Sequence, residues 1–158
     1  MRETILFAVD GCLSETKDLR SSPPRFDVIA MYRAMYEQDF RAVLLSAQTR
    51  EQTSAWLTRE HVRCGMLLAR EESAVLDPIA WKLDQISHLV ASGWKLSFYV
   101  DSALDDGQGE LLARVRALGV PTLGVGYPAM TDSSMFVREQ RPLRSWDDLL
   151  ESVEQRGE

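Results

Sequence analysis

Short apolar runs alternate with segments of helical spacing along almost the whole chain. TILFAV (4–9), RAVLLS (41–46), GMLLA (65–69), KLSFYV (95–100) and PTLGVG (121–126) read as buried strands. Between them, residues 26–38, 49–61, 77–92 and 105–119 carry helical patterns, and 145–155 reads as a closing helix. Thr49 is placed to cap the second helix, with Gln52 three residues on. Asp77 and Pro78 are a cap and first-turn pair for the third, and Gly93 ends it. Strand-helix alternation of this kind predicts an α/β fold with a doubly wound parallel sheet flanked by helices on both faces. Residues 11–25 are polar, end in SSPPR and read as a loop; residues 127–144 are the least patterned stretch and read as a mobile one.

A chain of 158 residues, 45% of them apolar, predicts one domain over 1–158 with a core of ordinary size. The formal charge of -6 and the absence of a Lys/Arg run argue against tight, charge-driven binding to a duplex. They leave room for a nucleic-acid end, which needs only a small basic pocket. Cys12 and Cys64 make no CxxC and no disulfide framework, so free thiols in a reducing, cytoplasmic setting are expected. The N-terminus turns polar too soon for a signal peptide, and no apolar run is long enough for a membrane span.

In doubly wound sheets, ligands bind beyond the carboxyl ends of the strands. Asp10, Gly11 and Cys12 follow the first strand, Ser46 the second, and Asp101, Ser102, Asp105 and Asp106 the fourth, with Lys82 in the helix before it. Gathered together, these form a phosphate-handling set. Carboxylates hold a hard cation such as Mg²⁺, and a lysine and a hydroxyl hold phosphate oxygens. Bland readings compete at each position. Asp-Gly is a common turn pair, Ser46 suits a turn, a lysine on an amphipathic helix is usually solvated, and Asp105 or Asp106 suits a helix cap. His61 and His88 lie on separate helices, which argues against a dyad or metal pair. Trp56, Trp81 and Trp94 fit core positions, and GVG at 124–126 lacks the spacing of a phosphate loop.

Position 8 raises the sharpest question. Side chains alternate along a strand, so positions 8 and 10 share a side. Two carboxylates there could divide the work, one attacking phosphorus and one moving the proton. Here position 8 is Ala8, and a methyl group does neither.

These positions resemble the haloacid dehalogenase (HAD) superfamily of phosphohydrolases. Ala8-Val9-Asp10-Gly11-Cys12 stands where that family has Asp-x-Asp-Gly-Thr. Ser46, Lys82 and Asp101 with Asp105 or Asp106 match its later motifs. The segment 46–62, with Thr53, Trp56, Leu57 and His61, is similar to the 3′-phosphatase domain of phage-type polynucleotide kinases, Ala47 and Gln48 replacing its Gly and Arg. The resemblance implies a HAD-type, Rossmann-like sheet with no cap domain and a phosphorylated nucleotide or nucleic-acid end as ligand. A lid, if any, would come from a second subunit. It implies catalytic roles at Ala8, Asp10, Ser46 and Lys82, phosphate binding at Gly11, Ser46 and Lys82, and Mg²⁺ at Asp10, Asp101 and Asp105. The metal would be weakened by the missing carboxylate at position 8.

Three accounts of Ala8 stand open at this point. It is an engineered nucleophile removal, or it belongs to a natural pseudo-phosphatase that binds without catalysis, or the chain is a different doubly wound domain such as a phosphoacceptor receiver. The receiver needs an Asp at the end of the third strand, and GMLLAR offers none there. In either of the first two, no significant turnover and a weak residual phosphate affinity through Lys82, Ser46 and the N–H groups of residues 9–11 are expected.

Overall fold

The computed structural model describes residues 3–38, 40–102 and 108–125, together with two short strands at 136–138 and 141–143. Strands β1 (Thr4–Ala8), β2 (Arg41–Thr49), β3 (Met66–Arg70), β4 (Leu96–Ser102) and β5 (Thr122–Val125) pair in parallel. Helices α1 (Phe26–Glu37), α2 (Arg50–Arg59), α3 (Pro78–Ala91) and α4 (Gln108–Ala117) connect them. Two short antiparallel strands, β6 (Phe136–Arg138) and β7 (Arg141–Leu143), extend the sheet beyond β5 and give the order β3-β2-β1-β4-β5-β6-β7. The doubly wound parallel sheet is as expected, and no cap domain occurs among the described residues. The pair β6–β7 lies inside the stretch read as a mobile loop. The predicted helix at 145–155 and the residues Asp105 and Asp106 lie outside the described residues.

The strand order places the site. The chain runs outward from β1 to β2 and β3, then returns to β4 on the other side of β1 and continues to β5. Right-handed crossovers put α1 and α2 on one face and α3 and α4 on the other. The connections leaving β1 and β4 therefore diverge, and a crevice opens between their carboxyl ends. β1 is buried throughout, as a central strand covered on both faces must be. Phe7 packs edge-to-face on Tyr32 of α1, with ring centroids 5.5 Å apart. Each such buried side chain contributes about 1.5–3 kcal/mol by burial alone.

Local signals agree with the folded result. Thr49 Oγ1 accepts from the Gln52 N–H at 3.2 Å, and Asp77 Oδ1 accepts from the Ala80 N–H at 2.9 Å. Both satisfy N–H groups that a helix start leaves without partners.

The loop between β1 and α1, where a cap insertion would sit, is short and tied down. Ser14 and Pro24 form an antiparallel bridge, and the Glu15 N–H donates to Pro23 O at 2.9 Å. From α2, Trp56 Nε1 donates to Ser22 O at 2.9 Å and Arg59 Nη2 to the same oxygen at 2.8 Å. Thus the Trp56 of the sequence segment 46–62 is a core residue that also anchors this loop.

Candidate functional site

The site begins where β1 ends. After Ala8 the backbone makes a single π-type turn over Val9–Leu13, with Gly11 at φ +80°. That left-handed value suits glycine, and a Cβ there would also meet Lys17 Cγ at 3.4 Å. The turn holds itself together: the Gly11 N–H donates to Ser14 Oγ at 3.0 Å and to Thr16 O at 3.2 Å. The Gly11 donor therefore points into its own loop, so phosphate binding through it requires those bonds to be exchanged.

The next strand supplies a bulge. β2 pairs Ser46 with Ala69 and then Thr49 with Arg70, leaving Ala47 and Gln48 as extra residues. A bulge of this kind re-aims groups next to it. Here the Ala47 N–H leaves the ladder and donates to Asp10 Oδ1 at 3.2 Å. Ser46 is fully buried and accepts from the Gln48 N–H at 3.1 Å. Thr53 Oγ1 lies 2.8 Å from Ser46 Oγ and 2.7 Å from Thr49 O. The carbonyl only accepts, so it takes the Thr53 proton, and Ser46 donates its own to Thr53. The Ser46 hydroxyl is thus fully engaged within the protein.

The centre of the site is a buried ionic cluster between β1 and β4. Lys82, reaching in from α3, is 1% exposed. Its Nζ lies 3.3 Å from Asp10 Oδ1 and 3.2 Å from Asp101 Oδ2. Asp101 Oδ1 accepts from the Ser102 N–H at 2.7 Å, and Oδ2 accepts a further short bond from the Tyr99 hydroxyl. Tyr99 has no surface exposure. Asp10, Lys82 and Asp101 are thus brought together as expected, but Lys82 is enclosed instead of solvated. Ala8 is also fully buried, in register with Leu45 of β2.

The electrostatics follow from this enclosure. Burial raises the Asp10 pKa, and the Lys82 ammonium only partly offsets that. Burial alone would lower the Lys82 pKa, yet Asp10 and Asp101 outweigh it and hold the amine charged above the ordinary lysine value. Burial, then the Asp101 charge, push the Tyr99 phenol well up. The same two causes push the Cys12 thiol well up, and Cys12 Sγ donates to Val100 O at 3.7 Å. A thiol and a phenol held protonated are poor nucleophiles.

A pH dependence follows. The unfolded chain gives up its tyrosine and lysine protons near pH 10, whereas the folded chain keeps those of Tyr99 and Lys82 to higher pH. Their contribution is complete below that point and is lost as pH rises beyond it. Urea midpoints measured from pH 8 to 11 should fall steeply above about pH 10, and more steeply than in a Tyr99→Phe chain.

The described residues do not fit a resident divalent cation. Mg²⁺ requires near-octahedral oxygen ligation, and position 8 offers only a methyl group. Both Asp101 oxygens and Asp10 Oδ1 already accept from N–H, O–H or ammonium donors. No group of three or more His, Cys, Asp or Glu placed to hold a metal occurs among the described residues.

The histidines lie elsewhere. His61 takes φ +56° just past α2, where its N–H donates to Thr58 O at 3.2 Å and that of Val62 to Leu57 O at 2.9 Å, a helix-ending arrangement. His88 faces Asp84 on the exposed side of α3. Tyr99 is the residue that motif reasoning passed over. The available signal was its parity with Asp101, two residues on in the same strand.

No protein-family model matches the chain, and no curated protein matches it in sequence. Among solved structures it is similar to a chain in the structure of the Pnkp1/Rnl/Hen1 RNA repair complex, at 18% identity and a TM-score of 0.66, over 80% of this chain and 43% of that one. A second structure of the Pnkp1/Rnl/Hen1 complex gives the same identity and TM-score, over 80% of this chain and 47% of the other. The chain thus spans under half the length of these neighbours. At this identity the likeness shows the α/β fold alone. No helix among the described residues is long and apolar enough to cross a membrane.

Proposed function

We propose that the chain is a HAD-like phosphatase scaffold that binds a phosphorylated nucleotide or nucleic-acid end and, with Ala8 in place of the nucleophile, does not hydrolyse it. The observation that carries this reading is the Asp10–Lys82–Asp101 cluster, assembled from three separate elements at the divergence of β1 and β4. The sequence resemblance assigns those same positions to phosphate chemistry. The neighbours' membership of an RNA repair complex favours a nucleic-acid end over a sugar phosphate. The short, anchored loop after β1 agrees, because a site without a cap admits large ligands.

Hydrolysis by this family's route needs an oxygen nucleophile that attacks phosphorus and is later regenerated by water. The Ala8 methyl cannot do so, and the two buried alternatives, Cys12 and Tyr99, keep their protons. Asp10 suits the other half of the chemistry: burial raises its pKa, the direction that helps a carboxyl pass a proton to a leaving oxygen. Phosphate binding requires the Ser46 hydroxyl or the turn N–H groups to exchange their internal partners for the ligand. Affinity is therefore expected to be weak.

Titration of the chain with a 3′-phosphorylated oligonucleotide, its 5′-phosphorylated isomer and the unphosphorylated strand tests the reading. Saturable binding that depends on the terminal phosphate is expected. Equal binding of all three, or none by any, would sink it. The second reading, a natural binding protein for a phosphorylated partner, draws on Ala47 and Gln48. They stand where the related segment has Gly and Arg, and their backbone now serves Asp10 and Ser46.

A further inference from the structure

We propose that the Lys82 ammonium, capped by the Tyr99 hydroxyl, is a fixed internal counter-ion occupying the place of a divalent cation between Asp10 and Asp101. The chain thereby closes the junction of β1 and β4 without metal. The proposal rests on geometry and does not depend on the phosphate reading.

Two buried carboxylates at adjacent strand ends need positive charge between them, or one must be neutralised. Lys82 supplies it from a third element, at 3.3 and 3.2 Å. An ammonium has three donors and no acceptor, so after meeting two carboxylates it has one left. The Tyr99 hydroxyl then takes up the same Asp101 oxygen that faces Lys82. A cation would need the lone pairs that Lys82 and Tyr99 now hold. Tyr99 acts through Asp101 and is a positioning residue. It fixes the carboxylate against the lysine and denies it to a metal. Lys82, Asp10, Tyr99 and Asp101 have almost no exposure, so the arrangement belongs to the core as much as to a site.

The test reads metal directly, by the loss of the electron paramagnetic resonance signal of free Mn²⁺, in the chain as it stands, in Tyr99→Phe and in Lys82→Met. Thermal unfolding is followed in parallel in EDTA and in millimolar Mg²⁺. The unaltered chain should leave the Mn²⁺ signal unchanged and melt at one temperature in both solutions. Tyr99→Phe should bind Mn²⁺ about tenfold or more tightly than the unaltered chain, because one lone pair of Asp101 Oδ2 is released while Lys82 keeps the other. Lys82→Met should melt lower in EDTA and recover in Mg²⁺. Should Lys82→Met fail to fold in either solution, Tyr99→Phe decides. Binding of Mn²⁺ by the unaltered chain, or a melt that rises with Mg²⁺, would overturn the proposal. So would a chain in which neither substitution creates metal affinity. A phosphorylated end that fails to bind leaves these readouts untouched, so the two proposals fail separately.

Discussion

Replacing Lys82 with Met is expected to lower the stability of the chain by about 3–5 kcal/mol in metal-free solution at neutral pH. The loss of packing is slight, since Met has nearly the same reach. The cost comes from what is left behind: two carboxylates, 2% and 0% exposed, facing each other without their ammonium. A compensating change should confirm the cause. Combining Lys82→Met with Asp10→Asn and Asp101→Asn removes the stranded charges and should recover most of the loss, because a neutral buried set is often as stable as an ion triad. Guanidinium unfolding of the parent, the single and the triple variant gives the comparison. A loss under about 1 kcal/mol in the single variant, the scale of a solvated surface pair, would mean that Lys82 is not the counter-ion described above.

Introducing a carboxylate by Ala8→Asp should have the second large effect, on turnover instead of folding. The parent chain is expected to show no phosphatase activity above background with any of a panel of mononucleotides, 3′- and 5′-phosphorylated oligonucleotides and an aryl phosphate. In Ala8→Asp, a carboxylate oxygen on the same side of the strand as Asp10 attacks phosphorus. The ester oxygen leaves with the Asp10 proton, and water then releases phosphate. Loss or gain of such a nucleophile is worth several powers of ten in rate. The substitution also adds a third carboxylate beside a single ammonium, so activity should appear only with Mg²⁺ present and should be accompanied by lower stability in EDTA. If Ala8→Asp is folded and inert, the function lies in binding, and the partner-binding reading becomes the stronger one.

The fold was legible because its signals are local. Five apolar runs lie at the five parallel strands, and Thr49 and Asp77 cap the helices they precede. The candidate site was legible as a set of positions because strand ends converge in this topology. The state of those residues was less accessible. Lys82 on a helix reads as solvated until the partners that enclose it, from β1 and β4, are known. The bulge at Ala47–Gln48 leaves no mark in the composition of β2, which runs on to Thr49 instead of ending at residue 46. Tyr99 in KLSFYV reads as one more apolar strand residue, and only its bond to Asp101, two residues on in the same strand, shows that its hydroxyl is used. The strands β6 and β7 are three residues each, too short for alternation to distinguish them from loop.

The position of β1 has a consequence for synthesis. It is made before the other four parallel strands, yet it lies at the middle of the parallel sheet, with Thr4 paired to Arg41 on one side and to Leu96 on the other. Until the chain has grown past β4, TILFA has at most one edge satisfied. A nascent chain of this kind carries an unfinished, strongly apolar strand until β4 is made. Its exposure to aggregation and its need for chaperone protection are set by the time taken to reach residue 102, not by the final stability of the domain.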